Sequence, residues 1–202
     1  MNRTHRTELL SFIILAIVTV PAALASCLQS QSQEQTPDSC ASAHVKQIEQ
    51  DAASGSASAQ RELADLYAQG RCVAQDYAKA ASWYRRSAEQ GDPEAQFQLG
   101  EFFLEGKDVP QDPAQAAEWF RRAAEQKHHG AQYALGGLYS QGRGVPKDLV
   151  KSYEWVRISS PKLDRHTRDV LATLAKKMTP AQVDDAEKQA ETWIVAHGET
   201  AQ

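Results

Sequence analysis

The sequence predicts an all-α fold, a solenoid of stacked helix-turn-helix units. Three observations predict it. A motif recurs three times at a spacing of 36 residues with no gap, as in Ala59, Ala95 and Ala131. Within each copy the apolar residues fall at i, i+3, i+4 and i+7, the period of one helical face. Glycine and Asp-Pro signals stand where each helix should stop and start. Of the 202 residues, 42% are hydrophobic and 24% charged, the range of a folded soluble chain. The formal net charge of −4 offers no general attraction to nucleic acid phosphate.

Residues 1–26 read as a signal peptide. Arg3, His5 and Arg6 form a basic start, and the apolar run Leu9 to Val20 is too short for a comfortable membrane span of roughly 20 residues. Two processing readings stand. Ala23-Leu24-Ala25 fits ordinary signal peptidase and would leave Ser26 first. Leu24-Ala25-Ser26-Cys27 resembles the lipobox of bacterial lipoproteins and would leave a lipidated Cys27 first. Residues 27–40 are rich in Gln and Ser, bury little apolar surface, and read as a flexible tether, which an anchored domain needs. The lipobox implies a periplasmic, lipid-anchored protein, and Leu28 after the cysteine points to the outer membrane. With Cys27 lipidated, Cys40 and Cys72 remain, and an even pair in an oxidising compartment reads as one disulfide, the alternative being two unrelated thiols.

Residues 41–202 read as the repeat domain. Residues 41–55, with Val45 and Ile48, form a leading half-repeat as cap, since Gly55 lies 36 before Gly91. Three copies follow at about 56–91, 92–127 and 128–160. The spacing joins Leu63, Leu99 and Leu135; Tyr67, Phe103 and Tyr139; Gly70, Gly106 and Gly142; and Trp83, Trp119 and Trp155. In the second copy Gln96, Leu99, Gly100 and Phe103 share a helical face, and Gly106 ends that helix. Asp112 is the expected N-cap of the next helix, with Pro113 at its first position and Gln115 completing a capping box. Small alanines allow close approach and the tryptophans fill the space between repeats. Ser159 and Ser160 replace the closing alanines of the third copy, so the array is expected to end there. In residues 161–198, a helix over 163–178 turns Val170, Leu171 and Leu174 inward. Thr179-Pro180-Ala181-Gln182 then opens a last helix with Val183, Ala186, Ala190 and Trp193 inward.

The pattern Ala-Gln-x-x-Leu-Gly-x-x-Tyr-x-x-Gly-x-x-Val-x-x-Asp-x-x-x-Ala-x-x-Trp resembles Sel1-like repeats, relatives of the tetratricopeptide repeat. The resemblance covers about residues 55 to 160. It implies a right-handed superhelix that binds other proteins.

Chemistry finds little support. His128 and His129 are adjacent and diverge by about 100° on a helix, without the i, i+4 spacing of two metal ligands. Ser159 and Lys162 match Ser-x-x-Lys, a motif of penicillin-binding enzymes, to which some Sel1-like proteins are linked. Pro161 should split that pair between two helices, and the companion motifs are absent. No catalytic residue, metal or cofactor is expected.

A protein partner is expected on the concave surface lined by the first helix of each repeat. Arg61, Asp65, Phe97, Glu101, Leu104 and Tyr133 turn away from the core stripe and align along it. Phe97 and Tyr133, expected side by side across adjacent repeats, read equally as interface anchors and as inter-repeat packing. The resemblance to lipidated Sel1-like proteins implies an immunity protein that blocks a toxic lipase from a neighbouring bacterium. An envelope adaptor or regulator fits the same anchor and tether.

Overall fold

The computed structural model describes residues 43–198, which form nine helices and, among the described residues, no strand. The expected signal peptide, Cys27, the tether and Cys40 lie outside these residues. The helices are α1 (Ala43–Ala53), α2 (Ala57–Gln69), α3 (Tyr77–Glu89), α4 (Pro93–Glu105), α5 (Pro113–Glu125), α6 (His129–Gln141), α7 (Leu149–Ser159), α8 (Arg165–Ala175) and α9 (Pro180–Ala196). Each packs on the next in turn from α1 to α8, so the chain stacks as an all-α solenoid. The exception is α9, which returns to pack on α7.

The helix ends follow local chemistry. Asp76, Asp112 and Asp148 cap α3, α5 and α7, each accepting a backbone N–H from the first turn. Gly70, Gly106 and Gly142 close α2, α4 and α6 at φ 64°, 76° and 69°, a region that disfavours a side chain. Gln115 departs from its expected role. Its side chain bonds the carboxylate of Asp112 rather than reaching back to the backbone, so this cap is single. The full capping box is at Thr179 and Gln182, as the sequence predicts.

A buried glutamine joins each repeat to the one before it. Gln60, Gln96 and Gln132 donate through Nε2 to the carbonyls of Ala52, Ala88 and Ala124, at 3.1, 3.0 and 3.1 Å. Those carbonyls lie in the last turns of α1, α3 and α5, where each also accepts the backbone N–H three residues on, from Gly55, Gly91 or Lys127. At the first two junctions the Oε1 accepts from Gln90 or Gln126, at 2.7 and 2.8 Å. At the third, residue 162 is lysine, and the fully buried Gln132 keeps an Oε1 with no hydrogen bond.

Beyond residue 160 the backbone keeps the period of the repeat without its motif residues. Helix α8, expected over 163–178 as part of the C-terminal cap, lies in the register of a first helix. Its N-cap Asp164 continues the series Ser56, Asp92, His128. Its buried Thr167, Leu171 and Leu174 continue Ala131, Leu135 and Leu138. Even the turn before it keeps a positive φ, through Gly55, Gly91, Lys127 and Leu163. The side chains at the junction hide this agreement: Arg168 stands where Gln132 stands, and Ala175 where Tyr139 stands.

Helix α9 closes the stack. Arg86 and Arg122 lie over the rings of Trp83 and Trp119, at 4.5 and 4.6 Å. The third copy has Ile158 at that position, fully buried against Ala190 and Ile194, while Trp155 meets Trp193 edge-on at 6.1 Å. Trp193 itself is half-buried and Ile194 takes the inward place expected of it. Tyr153 donates to Glu187 at 2.6 Å, and Arg157 pairs with the same carboxylate at 3.3 Å.

Two mutation pairs test this packing. Gln96→Leu loses two bonds at its junction, whereas Gln132→Leu loses one. Urea denaturation should show Gln96→Leu the more destabilising by about 1 kcal/mol. At Gly136 an added methyl would come within 2.7 Å of Val156, while at Gly137 it would meet no atom within 4 Å. Gly136→Ala should therefore destabilise by about 1 to 3 kcal/mol, and Gly137→Ala should stabilise by up to about 1 kcal/mol.

Candidate functional site

The first helices α2, α4 and α6, with α8 after them, set one face of the stack. Residues at the period of Arg61 lean on the N-terminus of the next first helix. Arg61 pairs with Asp65 at 3.3 Å on its own helix and with the N-cap Asp92 of α4 at 3.4 Å. Phe97 stacks on the N-cap His128 of α6, with ring centroids 4.7 Å apart, and touches Phe120 at 5.6 Å. Tyr133 meets His166 of α8, its hydroxyl 2.9 Å from Nε2. Phe97 and Tyr133 are therefore not paired with each other: His128 covers the first ring and His166 borders the second. Phe97 and Leu104 are half-buried against the core, whereas Tyr133 is 38% exposed.

The protonation pattern at His128 follows from its bonds. Its Nδ1 accepts the backbone N–H of Ala131, so the proton sits on Nε2, which donates to Glu94 at 3.0 Å. Burial would raise the pKa of Glu94, but bonds from Gln98 and His128 outweigh it and hold the carboxyl low.

Two neighbouring acids behave differently. Burial raises Asp65, against the opposing effects of the Tyr84 hydroxyl, which donates to it at 2.6 Å, and of Arg61. The same burial and bond push Tyr84 well above the ordinary phenol range. Glu101 is raised first by burial and then by the nearby negative charge of Glu105, with Lys107 only partly relieving it. Half of this face is thus occupied by internal pairs, and Glu101 is an acid without a bonded cation among the described residues.

His128, His166 and Asp92 were not among the partner-facing residues the sequence singled out. The 36-residue series of caps would have found Asp92 and His128. His166 became visible only once α8 was seen to continue the register. Cys72 lies in the turn after α2 at φ 63°, and its expected pairing with Cys40 involves a residue outside those described. Ser159 donates to the carbonyl of Val156 at the end of α7, and Lys162 is exposed in the turn beyond it. Among the described residues, no three His, Cys, Asp or Glu side chains converge as a metal site would require.

The stack agrees with known repeat proteins. The family model for the Sel1 repeat matches residues 57–92, 93–128 and 129–160. A crystal structure of a Sel1 repeat protein from Oxalobacter formigenes is similar over 64% of this chain and 98% of that one, with 34% identity and a TM-score of 0.59. A protective antigen of uropathogenic Escherichia coli strains, which displays an SLR fold, is 31% identical over 74% of this chain and 40% of its own, with a TM-score of 0.48. No curated protein matches the chain. Sel1 repeats mediate protein–protein binding on a fold that is typically a non-enzymatic scaffold. Three contiguous copies, spanning half of the sequence, establish that the chain belongs to the Sel1 repeat family.

Proposed function

We propose that the chain is an exported, lipid-anchored protein whose repeats hold one partner protein through the face of α2, α4 and α6. Tyr133 carries this reading: its ring is the most exposed of the aromatics on that face, positioned by His166 and standing beside the open backbone of Gly137. Exposed, held aromatics make good interface anchors because they supply apolar area at low entropic cost. Arg61, Asp65, Phe97, Glu101 and Leu104 complete the surface, with Phe97 acting partly through the packing of α6. Glu101 favours a partner that presents a cation, because such a contact would relieve an acid kept charged against burial.

The lipobox and the tether support a periplasmic site with Cys27 as the lipid anchor, on the outer membrane. A Cys40–Cys72 disulfide would join the start of the domain to the first repeat. A loop of about 30 residues would contribute on the order of 3 to 4 kcal/mol by restricting the unfolded chain. Within this reading we favour inhibition of a toxic lipase over a general adaptor role. The small domain on a tether is built to meet a partner arriving in the periplasm, and direct inhibition of a secreted lipase by the purified protein discriminates the two.

A photo-crosslinking amino acid at Gly137 should trap a discrete partner in the periplasm, and the same group at Arg86 on the opposite face should not. Tyr133→Ala should weaken that complex by roughly 1 to 3 kcal/mol with its melting temperature nearly unchanged. Equal trapping from both faces would remove the reading. Mass spectrometry of the exported protein should show an acylated Cys27 and no free thiol, and a soluble product starting at Ser26 would contradict the anchor.

Glu101→Gln gives an independent check. A carboxyl with a raised folded pKa costs stability where it is ionised and nothing where both states are protonated. The substitution should therefore raise the melting temperature at neutral pH. The gain should fade as the pH falls through the raised value towards the ordinary glutamate range, and binding should weaken.

A further inference from the structure

The junctions between successive units are filled differently along the array. Between α2–α3 and α4, Tyr77 packs edge-on to Phe102 at 6.0 Å, and Lys107 lies across the same ring. One repeat later, Arg143 stands where Lys107 stood and donates to the carbonyl of Leu104 at 2.9 Å. At the last junction, between α6–α7 and α8, neither an aromatic ring nor a basic side chain fills these places. Along the repeat register Tyr77 gives way to Pro113 and then Leu149, Phe102 to Leu138 and Leu174, and Ala68 and Leu104 to Ser140. The residue in register with Lys107 and Arg143 is Thr179, which is committed to capping α9. Because α9 packs on α7, it does not cover α8 as a second helix would.

The result is a cleft of about 460 Å³. Its apolar wall is Leu149, Val170 and Leu174, and its rim carries Lys147, Lys177 and His166. Both lysines are exposed, and neither is ion-paired among the described residues. Asp169 is the one acid on the lining. The rim is thus locally cationic in a protein whose formal net charge is −4. It is also opposite in sign to the part of the face that carries Asp65, Glu94, Glu101 and Glu105. His166 joins the cleft to Tyr133.

We propose that this cleft binds an acidic linear segment of a partner protein, with one apolar side chain seated against Val170 and Leu174 and flanking carboxylates on Lys147 and Lys177. The proposal deepens the protein-binding reading, on which it rests, by naming the chemistry of the bound segment. Charge complementarity selects the occupant. A basic segment would meet two unpaired lysines, and a neutral one would leave both without partners.

The probe is a short fluorescent peptide in which glutamates flank a leucine, titrated with the purified full chain and followed by anisotropy. A matched peptide with lysines in place of the glutamates serves as the control. The glutamate peptide should bind with an affinity that falls as salt is added, and the lysine peptide should not bind. The double variant Lys147→Glu/Lys177→Glu should lose at least tenfold in affinity while its circular dichroism is unchanged, and Val170→Glu should lose as much. Arg86→Glu, on the opposite face, should bind as the parent does. Absence of binding, equal binding by the double variant, or preference for the lysine peptide would overturn the proposal. Peptide failure with partner trapping at Gly137 intact would sink the cleft alone. Peptide binding without trapping would sink the wider face and leave the cleft standing.

Discussion

The stack depends on a carbonyl that accepts two hydrogen bonds, one from its own turn and one from the next repeat. The turn uses one acceptor site of Ala52, Ala88 or Ala124 and leaves the other facing the junction. A buried glutamine from the next first helix reaches back eight residues to meet it. That bond forms only if the following helix starts at one distance and in one orientation. It ties the turn between repeats to the apolar stripe of the next helix, which places Leu63, Leu99 and Leu135 in the core. Burying an amide without partners costs several kcal/mol in an apolar medium, so a shifted register is penalised as well as left unrewarded. The small residues that follow serve the same closeness: at Gly100 an added methyl would lie 2.6 Å from Phe120.

Most of this architecture was legible because the repeat writes it three times. Spacing alone located the glycine stops, the aspartate caps and the leading half-repeat, where Val45 and Ile48 are buried as expected. The helix after the third copy was legible as a helix with Leu171 and Leu174 inward, but its register with the repeats was not. Its marker residues, Arg168 and Ala175, no longer match, and what persists is a backbone pattern: a cap at residue 164 and a positive φ at residue 163. Motif matching reads side chains, and Leu163 gives no hint that it occupies a glycine's conformation. The return of α9 onto α7 had a faint signal in the change from Arg86 and Arg122 to Ile158. An isoleucine in place of an arginine over a tryptophan means that water has been replaced by protein.

The face proposed for binding was legible in its positions and less so in its state. Helical geometry picked out the row of Arg61, Phe97 and Tyr133, but not the cap each of them would meet. Arg61 is spent on Asp92 and Asp65, Phe97 on His128, and only Tyr133 keeps substantial exposure. Such contacts run between residues about thirty apart, and they depend on a register that no single repeat reveals. The same row therefore both cements neighbouring units and offers a surface. The balance shifts towards surface as the array approaches its C-terminal end.

The backward turn of α9 has a consequence for how such a protein can change length. A solenoid ordinarily lengthens by adding a unit at its free end, because each unit touches only its neighbours. Here that end is shut: α9 occupies the outer side of α7, and the carbonyl of His197 at its tip is held by Lys127, one junction upstream. A unit appended after α8 would have to displace a helix whose Ala186, Ala190 and Ile194 side chains are already buried. An insertion between the first and second copies would disturb neither terminus, since Gly91 and the cap at Asp92 already accept a complete unit. The joint at Gly91 and Asp92, rather than the C-terminal end, is thus where the packing leaves room for a further unit.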